Sequence, residues 1–199
     1  MRTVSGLFDN HDDARNAVAQ LEAVGVPSSD ISLIANNVDN RYSDSDTSAA
    51  EGAGAGASLG AAGGGAVGLL TGLGLMAIPG VGPVVAAGWL ASTAAGAAAG
   101  AVAGGAVGGM IGAITNSGIS ESDAHVYAEG VRRGGSVVIA RIDEGLVAEA
   151  EAILRANSVD PIGRRQAYTE AGWQRFDDRA APYSASEIEE ERRRYTRIP

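Results

Sequence analysis

The sequence predicts an α+β protein in which a ferredoxin-like split β-α-β domain is interrupted by a long glycine-zipper helical hairpin and followed by a C-terminal helical arm. Two β-α-β patterns, one in residues 1–51 and one in residues 121–162, predict the two halves of the domain. Residues 52–120 contain no charged side chain and predict the hairpin, and residues 163–199 form the arm. A ferredoxin-like domain has a four-stranded sheet with helices on one face.

The first β-α-β pattern begins with an apolar stretch, residues 3–8, that predicts a strand. Asp12 and Asp13 then supply the acidic first turn that favours a helix start. Apolar residues follow at helical spacing and form one stripe: Ala14, Ala17, Val18 and Leu21. Glycine and proline in residues 25–27 end this helix, and residues 30–35 predict the second strand.

The second β-α-β pattern follows the uncharged segment. Ala124, Tyr127 and Val131 repeat the helical spacing, so a helix is predicted over residues 121–133. The apolar run Ser136–Ile142 predicts a strand, and a further helix follows it. This unit matches the first weakly at a constant offset of 133 residues. The uncharged segment would then leave the domain after the second strand and return through the helix, as an insert in a domain that folds without it.

Glycines in residues 52–120 recur at every fourth position in two ladders. This segment holds 21 of the 29 glycines in the chain. The first ladder is Gly52, Gly56, Gly60, Gly64, Gly68 and Gly72, and the second is Gly96, Gly100, Gly104, Gly108 and Gly112. A spacing of four keeps the glycines on one helix face, where the missing side chains let another helix approach closely. Glycine disfavours an isolated helix by about 1 kcal/mol relative to alanine, so we expect the two helices to need each other as partners.

Prolines and glycines in residues 78–83 predict the turn of the hairpin, with helical arms over residues 53–78 and 84–116. Arms of about 39 and 50 Å are long enough to cross a bilayer core of about 30 Å. The most apolar stretch surrounds the turn and predicts an apolar tip: Leu75, Met76, Ile78, Pro79, Val81, Pro83 and Trp89. A tip inserted in lipid and a tip buried at the centre of a homo-oligomer both fit this pattern, and we favour lipid. The absence of flanking arginines argues against an ordinary transmembrane pair.

Composition excludes several classes of enzyme. The 199 residues include no Cys and two His, which leaves no thiol chemistry and little room for a histidine-built metal site. All 15 basic residues are Arg, which excludes mechanisms that need a lysine. The net charge of −9 opposes binding to nucleic acid. We therefore expect no catalytic residue, no cofactor and no metal, and we expect the partners to be other copies of the chain and membrane lipid.

Aromatic residues are spaced through the polar C-terminal arm: Tyr168, Trp173, Phe176, Tyr183 and Tyr195. A disordered tail has little use for such side chains, so we predict that the arm docks on a surface, either its own domain or a neighbouring copy. A serine at 184 or 186 predicts the cap of a short last helix.

The N-terminus carries no apolar leader, because acidic residues begin at Asp9. A secretion signal would need an apolar run in this region. The expected location is therefore the cytoplasm, at or in the inner membrane if the tip enters lipid.

Several motifs together resemble the bacterial heat-induced general stress proteins. They are Val4-Ser5-Gly6-Leu7-Phe8, Asp12-Asp13-Ala14, Ile31-Ser32-Leu33-Ile34, the two glycine ladders and the run from Tyr127 to Val138. The resemblance covers residues 2–162 and implies a stress-linked bacterial protein with no catalytic residues to assign. Combined with the ladders, it predicts a non-enzymatic stress-response protein whose hairpin drives membrane association and homo-oligomerisation. The alternative is a soluble self-assembling structural protein whose hairpins form the core of a large homo-oligomer.

Overall fold

The computed structural model describes residues 1–38, 74–90 and 109–195. Five strands and six helices follow one another in this part of the chain. They are β1 (Arg2–Phe8), α1 (His11–Ala23), β2 (Ile31–Asn36), β3 (Gly74–Ile78), β4 (Gly82–Ala87), α2 (Met110–Asn116), α3 (Glu121–Arg132), β5 (Ser136–Ile142), α4 (Val147–Asn157), α5 (Pro161–Glu170) and α6 (Ala185–Tyr195). The α+β class is therefore confirmed.

Local sequence accounts for where the helices begin. The Asn10 side chain caps α1 by accepting a hydrogen bond from the Asp13 amide (2.8 Å). Ser120 caps α3 in the same way, with the Asp123 amide as donor (3.1 Å). The predicted strands β1, β2 and β5 and the predicted helices α1 and α3 are confirmed, because each combines an apolar pattern with a start or stop signal of its own.

The strands form one antiparallel sheet in the order β1-β5-β2-β4-β3. Strand β5, the second in this order, pairs with β1 on one side and β2 on the other, so that Val138 lies opposite both Gly6 and Leu33. A single bridge between Leu7 and Val159 adds a short stretch of chain at the outer edge of β1. Strand β5, from the C-terminal part of the chain, therefore lies between β1 and β2 from the N-terminal part.

Both faces of the sheet are covered, and alternate residues of β5 face different cores. Val138 and Ala140 lie in a core with the apolar faces of α1 and α4. Val137 and Ile139 lie in a second core, which includes residues of α2 and α3. The predicted four-stranded sheet with helices on one face is wrong in both respects, because β3 and β4 extend the sheet and α2 and α3 cover its other face.

The predicted helical arms are wrong where the structure describes their inner ends. Residues 74–78 and 82–87 form the antiparallel strands β3 and β4, and β4 pairs with the edge of β2. The turn between them contains Gly80 and Gly82 at φ of 74° and 96°, a region that favours glycine. A short apolar run can form either a buried strand or a helix. Residues 82–87 form a strand because the edge of β2 is available for pairing.

The second predicted arm is helical at its far end, where Met110–Asn116 forms α2 and packs on α3. Gly112 of the second ladder lies in α2 and is half-buried. The rest of that ladder (Gly96, Gly100, Gly104 and Gly108) and the whole first ladder (Gly52, Gly56, Gly60, Gly64, Gly68 and Gly72) lie outside the described residues. The prediction that the ladders pack as helices is therefore open.

Gly88 joins the hairpin to the edge of β2 through a very close backbone approach. Its φ is +85°, and a methyl group there would lie 2.1 Å from the Ile31 carbonyl oxygen. We expect Gly88→Ala to lower the free energy of unfolding by about 3 kcal/mol or more, from strain and backbone overlap together. Gly25→Ala is the matched control, because Gly25 has φ +99° but open space around it. Gly25→Ala should lower the free energy of unfolding, measured in urea, by about 1 kcal/mol. If Gly25→Ala and Gly88→Ala lower it equally, the close approach at Gly88 is disproved.

His11 makes stability depend on pH. Burial, with a smaller contribution from Arg15, lowers the pKa of His11 to about 4, although Asp12 acts in the opposite direction. The unfolded chain therefore binds a proton more readily than the folded one, so this site's contribution to stability is complete above about pH 6.5 and is lost as the pH falls to about 4. We expect a loss of about 2 kcal/mol, discounted because the imidazole is partly exposed. Urea titrations of wild type and His11→Gln should diverge over this interval, and parallel curves would contradict the shift.

Candidate functional site

The residues of the predicted apolar tip do not project from the domain as a group. Ile78 and Val81 are 5% and 0% exposed and belong to the core shared with α2 and α3. Pro79 and Pro83, in the same turn region, are exposed. Leu75 and Met76 lie on β3, which is an edge strand of the sheet. Half-buried Trp89 stacks with Arg141, whose guanidinium carbon lies 4.5 Å from the ring centroid.

The C-terminal arm covers the turn between β3 and β4. A methyl group on Gly80 would lie 2.6 Å from the carbonyl oxygen of Asp177, which places the arm backbone directly against the turn. A methyl group on Gly82 would similarly meet Pro182 at 2.9 Å. Phe176, just before this contact, is buried in the same core as Ile78. The arm therefore docks on its own domain, which confirms that it docks and identifies the surface.

Helix α5 begins the arm and is anchored by ion pairs in its N-terminal half. Arg164 Nη2 lies 2.7 Å from Asp9 Oδ2, and Arg165 Nη2 lies 2.6 Å from Asp123 Oδ1. Tyr168 is fully buried and packs edge-on against Trp173, with ring centroids 5.5 Å apart. Together these contacts connect α5 to the start of α1 and to the start of α3.

Arg133, at the end of α3, is the residue around which the arm is organised. Its Nε donates to Glu129 Oε1 (2.6 Å) and its Nη1 donates to Glu191 Oε2 on α6 (2.8 Å). Its guanidinium carbon lies 4.3 Å from the Tyr168 ring centroid and 5.5 Å from that of Tyr183. One side chain thus bridges two carboxylates and contacts two aromatic rings, all but Glu129 belonging to the arm.

The two carboxylates that Arg133 bridges are buried, which makes the bridge electrostatically important. Glu129 is 0% exposed and Glu191 is 5% exposed. Burial alone would lower the pKa of Arg133, but hydrogen bonds and charges from Glu129 and Glu191 raise it above its ordinary value. Arg132 adds a longer contact to Glu129, at 3.4 Å, and donates to the Ala181 carbonyl (2.9 Å). The bridge therefore places the Arg133 guanidinium in contact with two buried carboxyl groups at once.

Helix α6 completes the docking over Gly134, the residue that follows Arg133. A methyl group on Gly134 would lie 2.2 Å from Ile188 Cγ2, so Ile188 occupies the space left by the missing side chain. Arg192 Nη2 donates to the Gly134 carbonyl (3.1 Å). The residues from Glu129 to Gly134, with Tyr168, Tyr183, Ile188, Glu191 and Arg192, form what we call the arm-docking site.

Comparison with protein-family models, with curated proteins and with solved structures finds no match to this chain. The arm-docking site is therefore interpreted from its own geometry.

The chemistry of the arm-docking site is recognition of one part of the chain by another. Its charged groups are paired, and its aromatic rings contact guanidinium groups rather than an open space. The described residues contain no cluster of His, Asp and Glu side chains that could hold a metal ion. Tyr127 donates to or accepts from Ser5 Oγ (3.0 Å), and burial raises the pKa of its hydroxyl, so it is not activated as a nucleophile.

Sequence reasoning missed the arm-docking site. The spacing of Glu129 and Arg133 at i,i+4 was a local signal for their pairing, but it is equally common on solvated helix faces. Nothing local indicated that Glu191, which is 58 residues away, supplies the second carboxylate.

The described helices include none that is both long enough and apolar enough to span a bilayer.

Proposed function

We propose that this chain is a non-enzymatic, self-associating protein whose folded domain carries two glycine-ladder segments that pack together. The observation that carries the proposal is the register of the β3–β4 hairpin, in which Gly74 lies opposite Ala86. The chain therefore enters β3 and leaves β4 at the same end of the sheet. The first ladder ends at Gly72 and the second begins at Gly96. Because the chain leads from the ends of two neighbouring strands into the two segments, we expect their glycine faces to pack antiparallel, within a copy or between copies.

We also propose that the domain is of the ferredoxin-like split β-α-β type. If the bridge at Val159 is counted as a strand, the sheet order is Val159, β1, β5 and β2, with neighbours antiparallel. The chain runs β1-α1-β2 in the first half and β5-α4-Val159 in the second. That order supports the ferredoxin-like assignment, with β4 and β3 added beside β2.

A role in the bacterial stress response is proposed from the motif resemblance. Membrane association is the competing possibility for the ladder segments. Membrane association was predicted from an apolar tip, and Ile78 and Val81 of that tip are instead buried in the domain core. Contact with lipid would have to come from the ladder segments themselves.

The test is a triple substitution on the second ladder. We expect Gly100→Leu, Gly104→Leu and Gly108→Leu together to lower the oligomer mass measured by light scattering, because leucine side chains separate faces that need close backbone contact. The matched control is Ala98→Leu, Val102→Leu and Ala106→Leu, which has the same spacing but lies about 200° away around a helix. The control should leave the mass nearly unchanged.

Two results would contradict the proposal. One is an unchanged mass in the glycine variant, and the other is an equal effect of both triple variants. Flotation with vesicles of phosphatidylcholine and phosphatidylglycerol separates the competing possibility. If the wild-type chain floats with the vesicles and forms no oligomer without them, the ladders serve membrane association and the self-association proposal fails.

A further inference from the structure

Helix α6 is held against the domain by very few side chains. Most of its residues are charged, and among residues 185–194 only Ile188 and Glu191 are buried. Ile188 is 3% exposed and is the one large apolar residue that these ten positions supply to the core. A helix held in this way contributes little apolar burial, so it belongs to the part of a fold that opens most readily.

The contacts of α6 follow a defined spacing. Ile188 lies over Gly134, Glu191 at i+3 pairs with Arg133 (2.8 Å), and Arg192 at i+4 donates to the Gly134 carbonyl (3.1 Å). These positions lie on one face of a helix. The surface beneath α6 therefore presents the space left by the missing side chain of Gly134, a cation and a hydrogen-bond acceptor, a combination that suits recognition of an amphipathic helix. We call this surface, Arg133 and Gly134 with their neighbours, the helix groove.

We propose that the helix groove exchanges its helix between copies, so that α6 of a second copy binds in place of the chain's own. The segment that precedes α6 allows this exchange. Phe176 is buried, whereas residues 177–179, 181 and 182 are exposed. Exchange would release the contacts that this segment makes with Gly80, Gly82 and Arg132, and the same contacts can form again in the other copy. An extended segment over residues 177–184 can reach about 26 Å. The contacts made by Ile188, Glu191 and Arg192 are the same whether α6 comes from the same chain or from another, which is the condition for exchange of an element.

The α6 of another copy matches the helix groove in charge and shape. The groove requires isoleucine, then glutamate at i+3 and arginine at i+4, and every copy of this chain carries that helix. Glu191, the only buried acidic residue among residues 185–194, pairs with Arg133. Arg133 is also paired with the fully buried Glu129. The groove thus retains a fixed, oriented cation when its own α6 leaves. This inference uses none of the ladder residues, so it stands or falls independently of the ladder proposal.

The experiment mixes two full-length variants that are defective in opposite ways. Gly134→Ala obstructs the groove, because its methyl group would lie 2.2 Å from Ile188 Cγ2, but leaves α6 intact. Ile188→Ala weakens α6 but leaves the groove intact. We expect the α6 amides of isotope-labelled Gly134→Ala to exchange rapidly with solvent when alone. An excess of unlabelled Ile188→Ala should slow them at least about tenfold, because α6 then occupies the intact groove of the other chain.

The control is the chain with both substitutions, which offers neither a groove nor a helix and should give no protection.

A labelled peptide of residues 183–195 provides a second measurement that does not need Gly134→Ala to fold. It should bind full-length Ile188→Ala at least about tenfold more tightly than the wild type, whose groove is occupied. The same peptide with Glu191→Gln should bind more weakly. No peptide binding to folded Ile188→Ala would overturn the groove, and peptide binding without protection in the mixture would show that α6 acts only within its own chain.

Discussion

Replacing residues 52–120 with a short linker should abolish cooperative folding. The deletion removes β3, β4 and α2, which belong to the same sheet and core as the flanking residues. The buried side chains lost include Ile78, Val81, Val84, Ala86, Leu90, Ile111 and Ile114. Burial of each large one contributes about 1.5–3 kcal/mol, so their sum is as large as the net stability of about 5–15 kcal/mol that a whole domain has. Urea unfolding followed by circular dichroism should show no sigmoidal transition.

The matched control is a shorter deletion, of residues 44–68, which leaves every described strand and helix in place. It retains residues 39–43 and 69–73, enough chain to connect Val38 with the start of β3. We expect this variant to unfold cooperatively. A cooperative transition in the longer deletion would instead show that residues 52–120 are a separable insert, as the sequence by itself suggested.

Arg133→Ala should destabilise the protein by about 3 kcal/mol and detach the arm, because it leaves the fully buried Glu129 carboxylate without its shortest ion pair. Arg132 partly compensates at 3.4 Å, which keeps the expected loss at the lower end for a broken buried pair. Glu191 and the rings of Tyr168 and Tyr183 lose their common partner in the same substitution. Urea unfolding measures the loss, and hydrogen exchange in α6 measures the detachment.

Two comparisons make the Arg133 result specific. Arg193→Ala removes an exposed guanidinium from α6, whose Nε donates to the Glu189 carbonyl of the same helix (3.2 Å), and should change stability by less than about 0.5 kcal/mol. The double variant Glu129→Leu and Arg133→Met should be more stable than Arg133→Ala, because it removes the buried charge together with its partner. If the double variant is the less stable one, the cost does not come from an uncompensated carboxylate.

The flanking elements could be predicted from the sequence because their signals are local. Helix α1 has an acidic first turn, an apolar stripe that includes Ala17 and Leu21, and a glycine stop within one short window. Strand β5 is a continuous apolar run, as expected for a strand covered on both faces. In each case the propensity, the periodicity and the end signals agree, so no distant residue was needed to choose the structure.

The segment at residues 74–87 could not be predicted, because its local signals disagree. The glycine ladders on either side favour a helical interpretation, whereas Val84 and Val85 favour a strand, and the turn at Gly80 suits either kind of hairpin. The deciding interaction is the pairing of Asn36 and Ala35 in β2 with Val84 and Val85 in β4. A chain segment cannot indicate whether a sheet edge elsewhere is open to it.

The sequence by itself determined the α+β class, the strands β1, β2 and β5, the helices α1 and α3, and the existence of an arm with aromatic anchors. Only the tertiary structure decided that residues 74–87 complete the sheet and that the arm closes over the β3–β4 turn. Only the tertiary structure decided, too, that Glu129 and Glu191 meet at Arg133. The physical reason is range: caps and apolar stripes act over a few residues, but strand pairing and buried charge compensation join groups separated by tens of residues, and their free energy exists only once the chain has folded.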